Sequence, residues 1–585
     1  MLATRLHAIL ASGCLAAALA GCDRTLTGEP TNRPDKTLTG TSKPQPAKVV
    51  IPPGVVGTVA QEASLVGAEP MVVKGYGLVV GLGKAGSSGE APASVRRYLV
   101  QQMLKQGLDS FASGTERLTP AQMLKDRDTA IVVVGGQIPP AGPVGTRFDL
   151  YVETLPRSQT ASLDGGVLMT TELRLALTTA ASAVGAAKSW AAGRGQVFVN
   201  PFVDRTKPEE QAKLRIGRIP GGGVVTRPRA LRLELRRPDY RMVNLIGDRI
   251  NQRFDRYGKV ARPKTPSVIE LRIPPEWRNE YPRFLQLILH VYLLGGPAET
   301  DHHAKQLARA ILEPMARHED IALVWEAMGR QIRPIIQPLY TSTNPAAAFY
   351  AARTGLRLED SLALEPMVRA AQHANSPYQI PAIEELGRAR WSTRAATPLR
   401  QMLSDRSALV CVAAYAALRD HGPTSAVSRV QLCKDFTVDV VDSGRHFMIY
   451  ATRAGEPKIV LFGRNIPIRQ PVFYCPADDL VTINAAAADK QLTVYRKIPR
   501  TGQMSEAFQV KPTAHELIRT LSAPPEMAVD GRIEGLGLTY SQVVGVLYGL
   551  CQAKHISADF VLQRSPAVQR IYTATSAVGR SDMPE

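Results

Sequence analysis

The residues with most chemical promise lie in one glycine-rich run, Gly75-Tyr76-Gly77-Leu78-Val79-Val80-Gly81-Leu82-Gly83-Lys84. Glycines at such spacing, ending in lysine, could cradle a phosphate with backbone N–H groups. The details refuse that chemistry. A dinucleotide fingerprint needs a third glycine where Val80 stands. A P-loop needs its first glycine at Leu78 and a magnesium-binding hydroxyl at Ala85. The run therefore reads as a turn or bulge in a sheet, where glycine accepts positive φ and close backbone approach. Asp301-His302-His303 has no second cluster at metal-ligand spacing, and it precedes Leu307 and Ile311. It reads as a solvated helix start. Asp478-Asp479 reads as a turn. With no Gly-x-Ser-x-Gly elbow and no His-Glu-x-x-His pair, the expectation is a non-enzyme without catalytic, cofactor or metal site.

The cysteines lead to the N-terminus. Arg5 precedes an apolar stretch that ends in Leu19-Ala20-Gly21-Cys22. It is too short for a membrane span, which needs roughly 20 apolar residues, and reads as an export signal. Its ending resembles the lipobox of bacterial lipoproteins, which implies removal of residues 1–21 and acylation of Cys22. Such a terminus is a lipid anchor on a bilayer. Residues 22–50, rich in Thr, Pro, Gly and Lys, then form a flexible tether. Cys411, Cys433, Cys475 and Cys551 remain, with no Cys-x-x-Cys pair, which argues against zinc or redox chemistry. Four cysteines in an exported chain allow three full disulfide pairings. Cys411, inside the apolar run Val410 to Ala417, reads as a buried thiol.

Net charge is +19, and residues 204–264 hold 17 Lys and Arg against 7 Asp and Glu, or +10. That segment could face an acidic protein, anionic lipid or cell-wall carboxylates. Export and an aromatic content of 6% argue against nucleic acid.

These residues need elements to hold them. Five zones should follow the tether, because over 500 residues exceed a single core. Residues 51–175 alternate short apolar runs with glycine turns: Leu78-Val79-Val80, Ile131 to Val134, and Phe148 to Val152. One helix interrupts them at 92–108, with Val95, Leu99 and Met103 in a stripe and Arg96 and Arg97 off it. Residues 176–290 are the basic α/β zone, with a helix near 240–254 carried by Val243, Ile246 and Ile250. Residues 291–433 are helical. Blocks starting at Ala351, Ala382 and Ala414 recur at intervals of 31 and 32 residues, and the last resembles a HEAT-type repeat. Residues 434–505 return to strands. Residues 506–585 hold two helices, where Thr513 with Glu516 and Thr539 with Gln542 fit capping boxes. The fold class expected is α+β: a mixed α/β core with an inserted, separable helical-repeat region projecting from it.

The order of several segments resembles the flagellar P-ring protein family. Gly75 to Leu82 is similar to its opening motif, and Tyr98 to Leu108 to its first amphipathic helix. Ala130 to Val152, with Ile138-Pro139-Pro140, Gly145 and Asp149, is similar to its strand, Pro-Pro turn and strand. Ser162-Leu163-Asp164-Gly165-Gly166 follows, then Gly217-Arg218-Ile219-Pro220, Pro238-Asp239-Tyr240 and Ile250 to Phe254. Leu538 to Leu562 is similar to the family's terminal helix and strand. The lipobox and the helical zone depart from the family pattern.

The resemblance implies a non-catalytic, self-associating subunit of a periplasmic ring, a bushing around the flagellar rod that supports motility. Its implied partners are the rod, L-ring proteins and peptidoglycan, with no nucleic acid. Gly75, Tyr76, Gly77, Gly81, Gly165, Gly166, Gly217 and Pro220 would be its structural positions. Lys74, Lys84, Arg96 and Arg97 are the candidate rod-facing cations. The alternative is an envelope-anchored adaptor on the same fold, unrelated to flagella.

Overall fold

The computed structural model describes residues 55–563 apart from 88–90, 109–110, 114–115, 157, 176–187, 204–206, 423–425, 431–434, 445–446, 477–478, 500 and 528–532. The expected leader, Cys22 and tether lie outside the described residues, as do Cys433 and Asp478. The described chain is mixed α and β, and none of its helices is long and apolar enough to cross a membrane.

Six antiparallel strands close a barrel. Their order is Met71–Val80, Thr129–Ile138, Arg147–Thr154, Ile216–Val225, Ser189–Gln196 and Val167–Leu175, which returns to the first. The period of two does the sorting. Phe148, Leu150, Val152 and Thr154 are buried while Tyr151 and Glu153 between them are exposed. Closure leaves no unpaired strand edge. Residue 175, the expected zone boundary, ends one barrel strand whose antiparallel partner is Ser189–Gln196. Helix Ala93–Lys105 lays Val95, Tyr98, Leu99 and Met103 over Leu78 and Ile131 on the barrel's outside.

Beside the barrel, strands Ala63–Val66, Leu231–Leu235, Val268–Leu271 and Ala261–Thr265 form a sheet in that order. Helix Tyr240–Arg253 packs Val243, Ile246 and Ile250 into the same core as Leu233 and Ile269. The Asp239 carboxylate caps this helix by accepting the Arg241 N–H at 2.7 Å. Phe254 packs on Phe284 of helix Tyr281–Leu289 with centroids 4.9 Å apart, edge to face.

The next zone is helical: Pro297–Ala310, His318–Met328, Pro345–Arg357, Leu364–Gln372, Gln379–Arg388, Ala396–Met402 and Ala408–His421. The three similar blocks all fall inside helices, those of 345–357, 379–388 and 408–421. Small residues let them approach closely; a Cβ on Gly387 would stand 2.6 Å from Ala417 Cα. His303 corrects the expectation of a solvated helix start. It is buried in helix Pro297–Ala310 and stacks on Tyr292 at 4.5 Å, because the apolar side of that helix reaches back to its second turn.

A five-stranded sheet follows, ordered Val427–Val430, Thr437–Val441, Lys458–Phe462, Met448–Ala451 and Asp559–Leu562. Both its faces are buried. Val438, Ile449, Ile459 and Leu461 join the core of the last zone. That core also takes helices Ala514–Ser522 and Tyr540–Gln552 and strands Val481–Ala485 and Leu492–Arg496. Val441, Met448, Tyr450, Val460 and Phe462 instead join the apolar cluster of the helices. The helical zone is thus not the separable, projecting unit expected: it covers one face of the sheet and shares its core. The capping box at Thr513 is half formed. Thr513 Oγ1 accepts the Glu516 N–H at 3.5 Å, while the Glu516 carboxylate turns to Arg519 at 3.0 Å. At the second helix, Gln542 Oε1 accepts the Thr539 N–H at 3.1 Å.

Cys411, Cys475 and Cys551 are free thiols. Cys411 is the buried thiol expected, and burial pushes it up to about 11.

Candidate functional site

The glycine run forms one strand of the barrel. Met71–Val80 pairs with Thr129–Ile138 along its whole length and with Val167–Leu175 on its other side, where the register shifts between Lys74 and Val79. A bulge was expected, and it lies here; Gly75 and Gly77 are in mid-strand and form no turn. Both point into the barrel. A Cβ on Gly77 would stand 2.6 Å from Thr171 Oγ1 and 2.7 Å from Leu168 Cδ1. A Cβ on Gly75 would strike the carbonyl oxygen of Glu172. A small barrel filled by Val134, Leu150 and Leu173 has no room for side chains on every inward position. Tyr76, between the two glycines, turns outward and packs with Leu78 under the first helix.

The turn comes at Gly81, whose φ is +84° and which is exposed. Most N–H groups of the described loop that follows are engaged. Gly83 N–H donates to Asp128 Oδ1 at 2.6 Å, Gly86 N–H to Arg127 O at 2.9 Å, and Ser87 N–H to Thr160 Oγ1 at 3.2 Å. Those donors fix the loop to its neighbours and are not free to cradle a phosphate.

The remaining motif residues sit where parts of the chain meet. Gly165, at φ +77°, lies under Gln542 of the last helix; a Cβ there would stand 2.6 Å from Nε2. Gly166 lies against Val79 and Leu82, and Gly217 against Val197. Pro220 is buried in strand Ile216–Val225. Next to it, Gly221 donates to Asp149 Oδ1 at 2.7 Å, and Arg218 pairs with Asp149 Oδ2 at 2.6 Å. Asp149 stands at a register shift between Phe148 and Leu150, and such a bulge re-aims a side chain. Its Oδ1 also accepts the N–H of Gly455 at 2.9 Å, from the loop before strand Lys458–Phe462. More contacts join the same parts: Ser541 Oγ donates to Val199 O at 2.9 Å, and Tyr540 N–H to Gln196 Oε1 at 2.9 Å. Asp149 was legible as part of a motif; that it ties the barrel to a loop 306 residues away was not.

The four candidate cations lie on two elements and the loop between them. Lys74 and Lys84 are exposed, the first in mid-strand and the second past its end. Six residues of strand separate Lys74 from Val80, about 20 Å. Arg97 is exposed and Arg96 half-buried on the first helix. Lys74 instead shares a cross-strand row, in the order Arg174, Lys74, Gly135, Tyr151 and Arg218. The Arg218 guanidinium lies over the Tyr151 ring at 5.2 Å.

A second feature had no reading from sequence at all. A buried ladder of charges crosses the helices. Arg283 Nε donates to Glu326 Oε1 at 2.9 Å, and Arg357 Nη1 to Glu326 Oε2 at 3.2 Å. Arg357 Nε reaches Glu385 Oε2 at 2.9 Å, and Arg388 Nη1 reaches Glu385 Oε1 at 2.6 Å. The Glu326 and Glu385 side chains are 5% and 4% exposed. Burial alone would raise their carboxyls, but the guanidiniums outweigh it and hold both below the usual carboxylate range. The available signal was three charged residues on three different helices, spaced 31 and 28 residues apart. A similar contact joins helix to sheet, where Tyr415 hydrogen-bonds the buried Asp439 and Arg419 lies beside it.

Among known proteins, the flagellar P-ring protein family matches residues 59–295. The flagellar P-ring protein of Paramagnetospirillum magneticum is 27% identical over 269 residues, covering 43% of this chain and 61% of that one. That of Anaeromyxobacter dehalogenans is 28% identical over 346 residues, covering 57% and 83%. That of Caulobacter vibrioides is 30% identical over 210 residues, covering 34% and 51%. The chain thus spans about three fifths of the first of these relatives and about half of the third. The match takes in the whole barrel and its neighbouring sheet, and ends where the helical zone begins. Over residues 59–295 the chain is similar to the flagellar P-ring protein family.

Proposed function

We propose that the chain is a structural subunit of the flagellar basal-body P ring, a periplasmic bushing around the rod that supports motility. The observation that carries this reading is the extent of the family match, 59–295, which coincides with complete structural elements and not with a shared fragment. A ring needs protomers with two different faces that pack head to tail. A closed barrel suits that role, because it offers no free edge for runaway strand pairing. Neighbours would meet it through side chains, and the row of Lys74, Tyr151 and Arg218 is a surface of that kind. Partners on this reading are further copies of the chain, rod and L-ring proteins, and peptidoglycan. Nothing in the role calls for a catalyst.

The finer features belong to the same proposal. Cys22 carries the lipid, so the ring is membrane-tethered. The helices from 297 to 421 are HEAT-like repeats added to the family plan. Lys74, Lys84, Arg96 and Arg97 guide assembly on an acidic rod through weak, screened contacts, since charges farther apart than about 8 Å are largely screened at physiological salt. Deleting the gene and imaging basal bodies tests the function: the ring should be missing and swimming lost. A deletion strain that swims normally with intact rings would overturn it and favour an envelope adaptor. Mass spectrometry of the mature N-terminus tests the anchor; an unacylated terminus elsewhere than residue 22 removes it.

A further inference from the structure

The helical zone carries a groove of about 740 Å³ that no contact described above uses. Its size lies within the range of about 300–1,000 Å³ typical of ligand sites. Two helices, Pro345–Arg357 and Leu364–Gln372, form its sides with the loop after the second. Tyr340, Phe349 and Tyr378 line it, and the Phe349 and Tyr378 rings stack at 4.7 Å and 22°. Alanines between them, Ala348 among them, leave room at the bottom. Tyr340 has spent its hydroxyl on Asp360 Oδ2 at 2.8 Å, so it offers the groove mainly its ring. Arg369 and His373 stand exposed at the rim, with no ion pair to either among the described residues.

These features choose an occupant. Helical walls have satisfied their own backbone groups, so no ladder is available to an added strand. Aromatic rings over small residues instead suit a proline-rich segment in polyproline II form, which needs few hydrogen bonds and is ordered before binding. The Arg369 cation at the rim, with the His373 ring N–H beside it, asks for a carboxylate on that segment. A second copy of this chain, at net charge +19, is a poor match to a cationic rim. We propose that this groove binds a proline-rich, acidic, extended segment of a partner protein. The groove lies outside residues 59–295, so the proposal does not rest on the ring reading.

The test is selection of a random twelve-residue peptide library on the full chain, followed by fluorescence anisotropy with the winning peptides. Selected sequences should combine Pro with Asp or Glu. Ala348→Trp, which fills the groove, should abolish their binding, and Arg369→Glu should weaken it by about tenfold. Circular dichroism melts of both variants should match the parent. Should Ala348→Trp fail to fold, Arg369→Glu and His373→Glu, both at exposed positions, carry the test alone. Three results overturn the proposal: no enrichment, enrichment of peptides lacking Pro or acidic residues, or winners that bind the folded variants as well as the parent.

Discussion

Asp149 accepts the backbone N–H of Gly455 at 2.9 Å, with the same oxygen that accepts Gly221 N–H at 2.7 Å. One carboxylate on a barrel bulge therefore fixes the turn of a neighbouring strand and a loop of the distal sheet. Arg218 balances its charge at 2.6 Å. Asp149→Ala should lower stability by about 2–4 kcal/mol, since hydrogen bonds to charged groups each contribute about 1.5–3 kcal/mol. Asp149→Asn should cost less, because its amide oxygen still accepts. Denaturant unfolding measures both; an alanine variant as stable as the parent would show that the junction does not hold the parts together.

Gly77 and Gly81 should respond differently to a side chain. Gly77→Val drives two methyls into Leu168, Thr171 and Val134 inside the barrel, and should cost about 3 kcal/mol or more through overpacking. Gly81 meets only the Gly165 carbonyl oxygen, at 3.8 Å, but has φ +84°. Gly81→Val should cost about 1–2 kcal/mol from backbone strain. Thermal melts of the two variants give the order, and the reverse order would remove the packing account of the motif.

The charge ladder makes stability depend on pH in a stated direction. Glu326 and Glu385 have lowered carboxyls in the fold. Their contribution is complete above the unfolded carboxylate value of about 4.3, and is lost as pH falls toward the lower folded value. Glu385→Gln should cost about 3–5 kcal/mol at pH 7, because it leaves Arg357 buried with one partner fewer. Calorimetry at pH 7, 5 and 3 should find the gap between parent and variant narrowing toward pH 3. A gap that stays constant or widens in acid contradicts the ladder.

Removal of residues 297–421 should not leave a folded remainder. It would uncover Val441, Met448, Tyr450, Val460 and Phe462, which lie within the helices' apolar cluster. Limited proteolysis and circular dichroism should show loss of cooperative unfolding and a sheet region open to cleavage. A truncated chain that melts cooperatively near the parent temperature would restore the picture of a separable insertion.

Reversing Lys74, Lys84, Arg96 and Arg97 together to Glu should leave the melt unchanged within a few degrees, because three are exposed and Arg96 is half-buried. Ring formation or motility should fall. Restoring Lys74 alone should recover only part of the loss. Unimpaired swimming of the fourfold variant would leave these charges with solubility as their only role.

Much of the fold was legible in the chain, for a physical reason. Val95, Leu99 and Met103 repeat at helical spacing, and Phe148, Leu150 and Val152 alternate, so local periodicity already states which side each element buries. The order of short motifs likewise carried the family resemblance, because a glycine forced by a crowded barrel interior must keep its place in sequence. The candidate cations were legible as residue types but not as a surface, since only the folded register sets Lys74 in one row with Tyr151 and Arg218. Closure of the barrel by pairing of Met71–Val80 with Val167–Leu175, the tie from Asp149 to Gly455, and the ladder from Glu326 through Arg357 to Glu385 join residues that no local pattern links. Each depends on which surfaces come together after the elements form. A buried charge also looks like any solvated one until its partner is known. For the same reason the helices looked like an insertion: their second apolar face was visible as composition, but its partner, the sheet at 437–462, was decided only by tertiary packing.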